Sequence, residues 1–239
     1  MPKESSVNEL THFFTGYACA RAARSRGDGF EAFYAGVAAL APDFDAVCGL
    51  LTDDPTFQHA VFSHTILGGL AFSAALFSVT LLVLGRAAGR VTTPPRLLAL
   101  TLAGLASHLA LDVFTYSGEC ATDSAHLYLW PASTASFHSD CLFGFTRTTR
   151  VLVEVAYSGA LAVWLVRDWR VNGWGPLATF DPRRWWRVAS GSEASGSVAS
   201  GEGVSSEGGA DYGEPVPPAL KAYLALVLVL FVFMAAGYA

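Results

Sequence analysis

Ile66–Leu84 reads ILGGLAFSAALFSVTLLVL, a run without a single charged residue. At ~1.5 Å per residue, a helix over this stretch reaches about 28 Å, close to the ~30 Å hydrocarbon core of a bilayer. Ala219–Tyr238 is a second such run, with Lys221 as its one charge. Leu97–Thr115 is apolar apart from His108 and Asp112, and Val151–Val166 apart from Glu154. The chain of 239 residues is 52% hydrophobic and only 15% charged, with a mean hydropathy of +0.39. A soluble domain of this length does not gather its apolar residues into such runs. The chain is predicted to be all-α, a polytopic membrane helical bundle.

Two shorter helices are expected ahead of these spans, over residues 10–24 and 30–41, the second stopped by Pro42. They reach only about 20 Å, as short, tilted or partly re-entrant segments. This makes about six helices, two short and four longer, or four spans if the first pair lies in the interface. The connections alternate in character. With six spans, every Lys and Arg except Lys3, Arg147 and Arg150 falls on one side, including Arg21, Arg86, Arg96, Arg167 and Arg183. The positive-inside rule makes that side cytoplasmic. The N-terminal MPKESSVNEL lacks the basic-then-apolar order of a cleavable signal peptide, and none is expected.

Residues 188–218 are rich in Gly and Ser and carry Glu193, Glu202, Glu207, Asp211 and Glu214 with no basic residue. Such a composition cannot bury a core, and it is expected to be a disordered cytoplasmic linker that tethers the last helix. The organisation expected is a membrane-embedded domain over 1–170, an amphipathic segment and linker over 171–218, and a final transmembrane helix over 219–239. Asp181–Val188 (DPRRWWRV) reads as an interfacial anchor of Trp and Arg. The net charge of −5 and the lack of a basic patch argue against nucleic acid as a partner. The four cysteines show no CxxC spacing. Cys120 and Cys141 share an outer loop where a disulfide is chemically permitted, and Cys19 is expected to be a small core residue.

All six histidines, His12, His59, His64, His108, His126 and His138, map to the side opposite the arginines. His108 and Asp112 are the sharpest pair. Their i, i+4 spacing puts both on one helix face, within a span where ionisable groups are costly and functional by default. They can chelate one divalent ion, or form a hydrogen-bonded pair that only holds helices together. Asp43 and Asp45 follow Pro42. In an extended segment they point to opposite sides, so that one ligates while the other supports a histidine or a second metal, and a capping role is the bland reading. His59 and His64 precede the third span, where Ser63 is a candidate N-cap. His12 opens the first helix, in a place equally suited to an ordinary interfacial histidine.

The order of these elements resembles the YdjM-like family of membrane-bound metal-dependent hydrolases, also described as LexA-binding and inner-membrane-associated. The matching pieces are Thr11, His12 and Gly16, then PDFD (Pro42–Asp45), His59 with SHT (Ser63–Thr65), SHLALD (Ser107–Asp112) leading to Gly118, and LYLWP (Leu127–Pro131). They span about residues 10–165. The HxxxD helix is also similar to that of the zinc-dependent phospholipase C group. The resemblance implies a divalent metal, zinc foremost, and a hydrolase acting on a phosphoester or lipid-like substrate at the membrane surface. By position, His12, Asp43, Asp45, His59, His64, His108 and Asp112 become the candidate ligands. Asp45 or Glu154 becomes the candidate proton acceptor, Glu154 being equally able to pair with Arg150 one turn earlier. In one departure, the family's HRG reads His59-Ala60-Val61 here, so that the Arg is missing.

The expected setting is the cell membrane, multi-pass, with the site at its extracytoplasmic face and membrane lipid as the surrounding partner. A non-catalytic metal-binding scaffold is the alternative, with a protein partner recruited through the cytoplasmic linker. A transporter ranks last, because the inner halves of the spans offer no polar relay.

Overall fold

The structure is a computed structural model that describes residues 9–23, 29–52, 62–85, 92–115, 128–133, 135, 142–172, 181–189 and 215–237. All regular structure among them is helical. In chain order the helices are α1 (Glu9–Ala22), α2 (Gly29–Ala39), α3 (Asp45–Thr52), α4 (Ile66–Leu84), α5 (Pro94–Thr115), α6 (Arg147–Asn172), α7 (Pro182–Ala189) and α8 (Pro218–Gly237), with a 3-10 turn at Pro42–Phe44. Helices α4, α5 and α6 are long and apolar enough to cross a bilayer, and α8 adds an apolar helix over Pro218–Leu230. The six expected helices are therefore α1, α2, α4, α5, α6 and α8, and α3 and α7 are short additions of eight residues each. Residues 190–214 of the expected linker and the Cys120 and Cys141 pair lie outside the described residues, while residues 188 and 189 end α7 and residue 218 opens α8.

The helix ends follow local chemistry. Thr65 caps α4, its Oγ1 accepting from the Gly68 N–H at 2.9 Å. Gly85 ends the same helix at φ 50°, a left-handed conformation that glycine adopts without strain. α5, α7 and α8 each open on a proline, where a missing N–H costs nothing.

Three rungs set α2 alongside α5 in parallel. Glu31 Oε2 meets Arg96 Nη2 at 2.7 Å, the Tyr34 and Thr101 hydroxyls bond at 2.6 Å, and the Ala39 carbonyl meets His108 Nδ1 at 2.7 Å. α1 runs parallel to α6, joined by Thr15 to Tyr157 and by a two-pronged Arg21–Asp168 pair. With 11 residues α2 is only ~16 Å long, and every one of its residues is buried. It is a core element wrapped by the others, not a helix facing lipid.

Lipid gives apolar helices no hydrophobic reason to associate, so close packing must hold them. A Cβ on Gly16 of α1 would run into the Ala35 carbonyl oxygen of α2, and one on Gly104 of α5 would fall 2.8 Å from the Ala38 backbone. Small residues thus let three backbones touch. Cys19 sits on the exposed side of α1 instead of in the core, because the buried face is taken by Phe13, Gly16, Tyr17 and Ala20. The two tryptophans of α7 do not anchor outward as expected. Trp185 and Trp186 are buried, and the Trp185 ring lies 4.8 Å from Phe33 and 5.8 Å from Phe30. Aromatic burial against the bundle replaces contact with the bilayer surface.

Candidate metal centre

Four separate elements deliver polar side chains to one point in this apolar bundle. The last turns of α5 present His108 and Asp112, one turn apart as their spacing predicts. The 3-10 turn that ends α2 presents Asp43, the turn before α4 presents His64, and the first turn of α1 presents His12. None of the five is more than 5% exposed. A buried carboxylate is expensive unless it is paired, and here two of them sit among three imidazoles.

The donor atoms converge. His64 Nε2 lies 3.0 Å from His108 Nε2, 3.4 Å from Asp43 Oδ1 and 3.4 Å from Asp112 Oδ2. His108 Nε2 lies 3.6 Å from Asp43 Oδ1 and 3.1 Å from Asp112 Oδ2. A tetrahedral ion with ~2.0–2.1 Å bonds holds its ligand atoms about 3.3 Å apart, and these five separations straddle that value. His12 addresses the other oxygen of Asp112, with Nε2 at 3.2 Å from Oδ1, and its ring stacks on His108 at 4.1 Å. Two overlapping groups result: Asp43, His64 and His108, and His12, His108 and Asp112.

The outer hydrogen bonds of the imidazoles decide what faces inward. His108 Nδ1 donates to the Ala39 carbonyl, so in the neutral ring it is Nε2 that offers a lone pair to the cluster. His64 Nδ1 stands 2.9 Å from Ser63 Oγ, whose hydroxyl donates to Asp45 Oδ2. Burial, outweighing the pull of Asp43 and Asp112, lowers the His64 pKa to about 4, so the ring is neutral. With both rings neutral and protonated at Nδ1, the two Nε2 lone pairs 3.0 Å apart would repel. A divalent cation would relieve that repulsion, and the donor set of imidazole and carboxylate suits zinc.

The structure brings together five of the expected ligands: His12, Asp43, His64, His108 and Asp112. Asp45 lies outside both donor groups, against Ser63. The expected extended segment is instead a 3-10 turn running into α3, and its tighter rise turns Asp43 and Asp45 differently from a strand. Ser63 is not the N-cap; Thr65 holds that position. Glu154, on α6, belongs to neither donor group; one turn further on, Tyr157 bonds Thr15. His59, Ala60, Gly118, His126 and His138 lie outside the described residues.

Three contributors escaped sequence reasoning. The Ala39 carbonyl carries no side-chain signal at all. The bridging role of Ser63 was hidden by its resemblance to a cap. Tyr128 belongs to the quoted LYLWP motif, yet its placement needed the fold. Its carbonyl accepts from the Ile66 N–H at 2.9 Å and its hydroxyl donates to the Leu109 carbonyl at 3.0 Å. Burial first, and then the Asp112 charge, raise the pKa of that hydroxyl and keep it protonated.

Fold and site together define a helical membrane protein with a buried cluster of three histidines and two aspartates. Residues 7–181 match the model of the family described as YdjM inner membrane protein, and the chain belongs to that family. No curated protein and no solved structure matches it.

Proposed function

We propose that this chain is a membrane-bound, metal-dependent hydrolase acting on a phosphoester or lipid-like substrate. The observation that carries the reading is the set of five donor separations between 3.0 and 3.6 Å around His64 and His108. When bound there, a divalent ion such as Zn²⁺ supplies Lewis acidity, polarising a phosphoryl or acyl oxygen and making water nucleophilic near neutral pH. His64, His108 and Asp112 are its holders, Asp112 being steadied by His12. Asp43 stands as far from His64 as Asp112 does, at 3.4 Å, but farther from His108, at 3.6 Å against 3.1 Å, and it takes the role of proton acceptor from the attacking water. This assignment prefers Asp43 to Asp45 and Glu154, which stand outside the donor groups.

A lipid-like substrate is supported by the surroundings. An apolar groove of about 450 Å³, lined by Ile66, Leu67, Tyr128, Leu129, Trp130 and Pro131, begins two residues after His64. The charge of Asp112 acts on Tyr128 in its wall. The arginine-bearing ends of α1 and α5 lie at the opposite end of the bundle from the cluster, which supports an extracytoplasmic site.

One observation favours the alternative of a non-catalytic, metal-stabilised scaffold. If all four inner donors ligate, they close a tetrahedron and leave no open position, as in structural zinc sites. The test is a screen of phosphoesters and phospholipids with the full chain in detergent, loaded with Zn²⁺. Turnover should be abolished by a chelator and should fall about 10²–10⁴-fold in Asp43→Asn. Bound metal without turnover across the screen selects the scaffold, and absence of bound metal sinks both readings.

A further inference from the structure

We propose that Ser63 and Asp45 are positioning residues that lock His64 in the tautomer that binds metal. The inference rests on the metal-centre reading above and concerns two side chains that reach the cluster through His64 Nδ1. Ser63 and Asp45 are both fully buried. The Ser63 hydroxyl has one proton, and it goes to the stronger acceptor, the Asp45 carboxylate. Ser63 Oγ then has only lone pairs to offer to His64 Nδ1, 2.9 Å away. Nδ1 must therefore carry the single proton of the neutral ring, and Nε2 is left bare toward His108, Asp43 and Asp112.

The other ring solves the same problem differently. His108 leans on the Ala39 main-chain carbonyl, a partner that no side-chain change removes. His64 depends on a hydroxyl that is itself oriented by a carboxylate, so its tautomer is set by two replaceable side chains. The segment Pro42–Asp45 thus serves the cluster twice. Asp43 faces the donors directly, while Asp45, at the start of α3, orients a histidine supplied by a different element.

The experiment measures Zn²⁺ affinity of the full chain in detergent by competition with a chelating dye, alongside the ¹⁵N chemical shifts of His64 in the metal-free wild type. Ser63→Ala should weaken Zn²⁺ binding about 10–100-fold, the range typical for loss of a group that supports a ligand, and Ser63→Thr should restore it to within about threefold. Co²⁺ bound to Ser63→Ala should show an altered d–d spectrum, and Ser63→Thr the wild-type one. In the wild type, His64 should carry its proton on Nδ1. Tight binding in Ser63→Ala, within about threefold of wild type, overturns the inference while leaving the metal centre standing. Wild-type protein that binds no Zn²⁺ overturns the metal centre itself. Should Ser63→Ala fail to fold, the wild-type tautomer decides, and a proton found on Nε2 overturns the proposal.

Discussion

His64 Nε2 and His108 Nε2, 44 residues apart in the chain, face each other at 3.0 Å inside a helical bundle. Behind them, His108 Nδ1 donates to the Ala39 carbonyl and His64 Nδ1 stands 2.9 Å from Ser63 Oγ. The carboxylates of Asp43 and Asp112 stand 3.1–3.6 Å from the same two nitrogens.

That relationship makes metal content the first prediction. Wild-type protein purified in detergent should hold about one divalent ion, and His108→Ala or Asp112→Ala should release it, because each deletes a donor that both groups or both histidines share. Elemental analysis of the two variants decides the matter. Stoichiometric metal in both would falsify the assignment of the cluster.

Helix packing gives a prediction independent of any metal. A side chain at Gly104 meets the Ala38 backbone, which cannot swing aside, whereas a Cβ at Gly159 on α6 meets nothing within 4 Å. Gly104→Ala should lower thermal stability by about 1–3 kcal/mol. Gly159→Ala should be neutral or stabilising by up to about 1 kcal/mol, from helix propensity. Melting of the two variants in the same detergent checks both signs, and equal effects would speak against the close α2–α5 contact.

Arg21 and Asp168 pair through two bonds of 3.2 Å, with side chains only 9% and 12% exposed. Removing one partner breaks a charge-assisted pair in a poorly hydrated place. Arg21→Ala and Asp168→Ala should each destabilise by about 3–5 kcal/mol, and the double variant by clearly less than the sum. Strict additivity in the thermal melts would show that the pair is not coupled.

Topology can be read in intact cells. With the native cysteines replaced, a membrane-impermeant thiol reagent should label Ala125→Cys and spare Ser195→Cys, as the positive-inside rule assigns the arginine-rich connections to the cytoplasmic side. Labelling confined to position 195 would turn the protein over and put the site at the cytoplasmic face.

Much of this architecture was legible in one dimension. Ile66–Leu84 has no charge and must be helical in a bilayer, because nothing else satisfies its backbone there. His108 and Asp112 announce themselves by spacing, since a helix turns 3.6 residues at a time. The role of Trp185 was not legible. An aromatic beside arginines reads as an interfacial anchor, and only the position of Phe30 and Phe33 makes it a core residue.

The sequence by itself determined the class of fold, the family and most of the polar residues of the site, because periodicity, apolar length and residue chemistry are local properties. It could not assign those residues their parts. Asp43 and Asp45 are two positions apart and chemically identical, yet one faces two imidazoles and the other a serine. That division depends on a 3-10 turn and on α4 arriving from elsewhere with Ser63 and His64. Which atom meets which is a matter of long-range placement, and only the tertiary structure decides it.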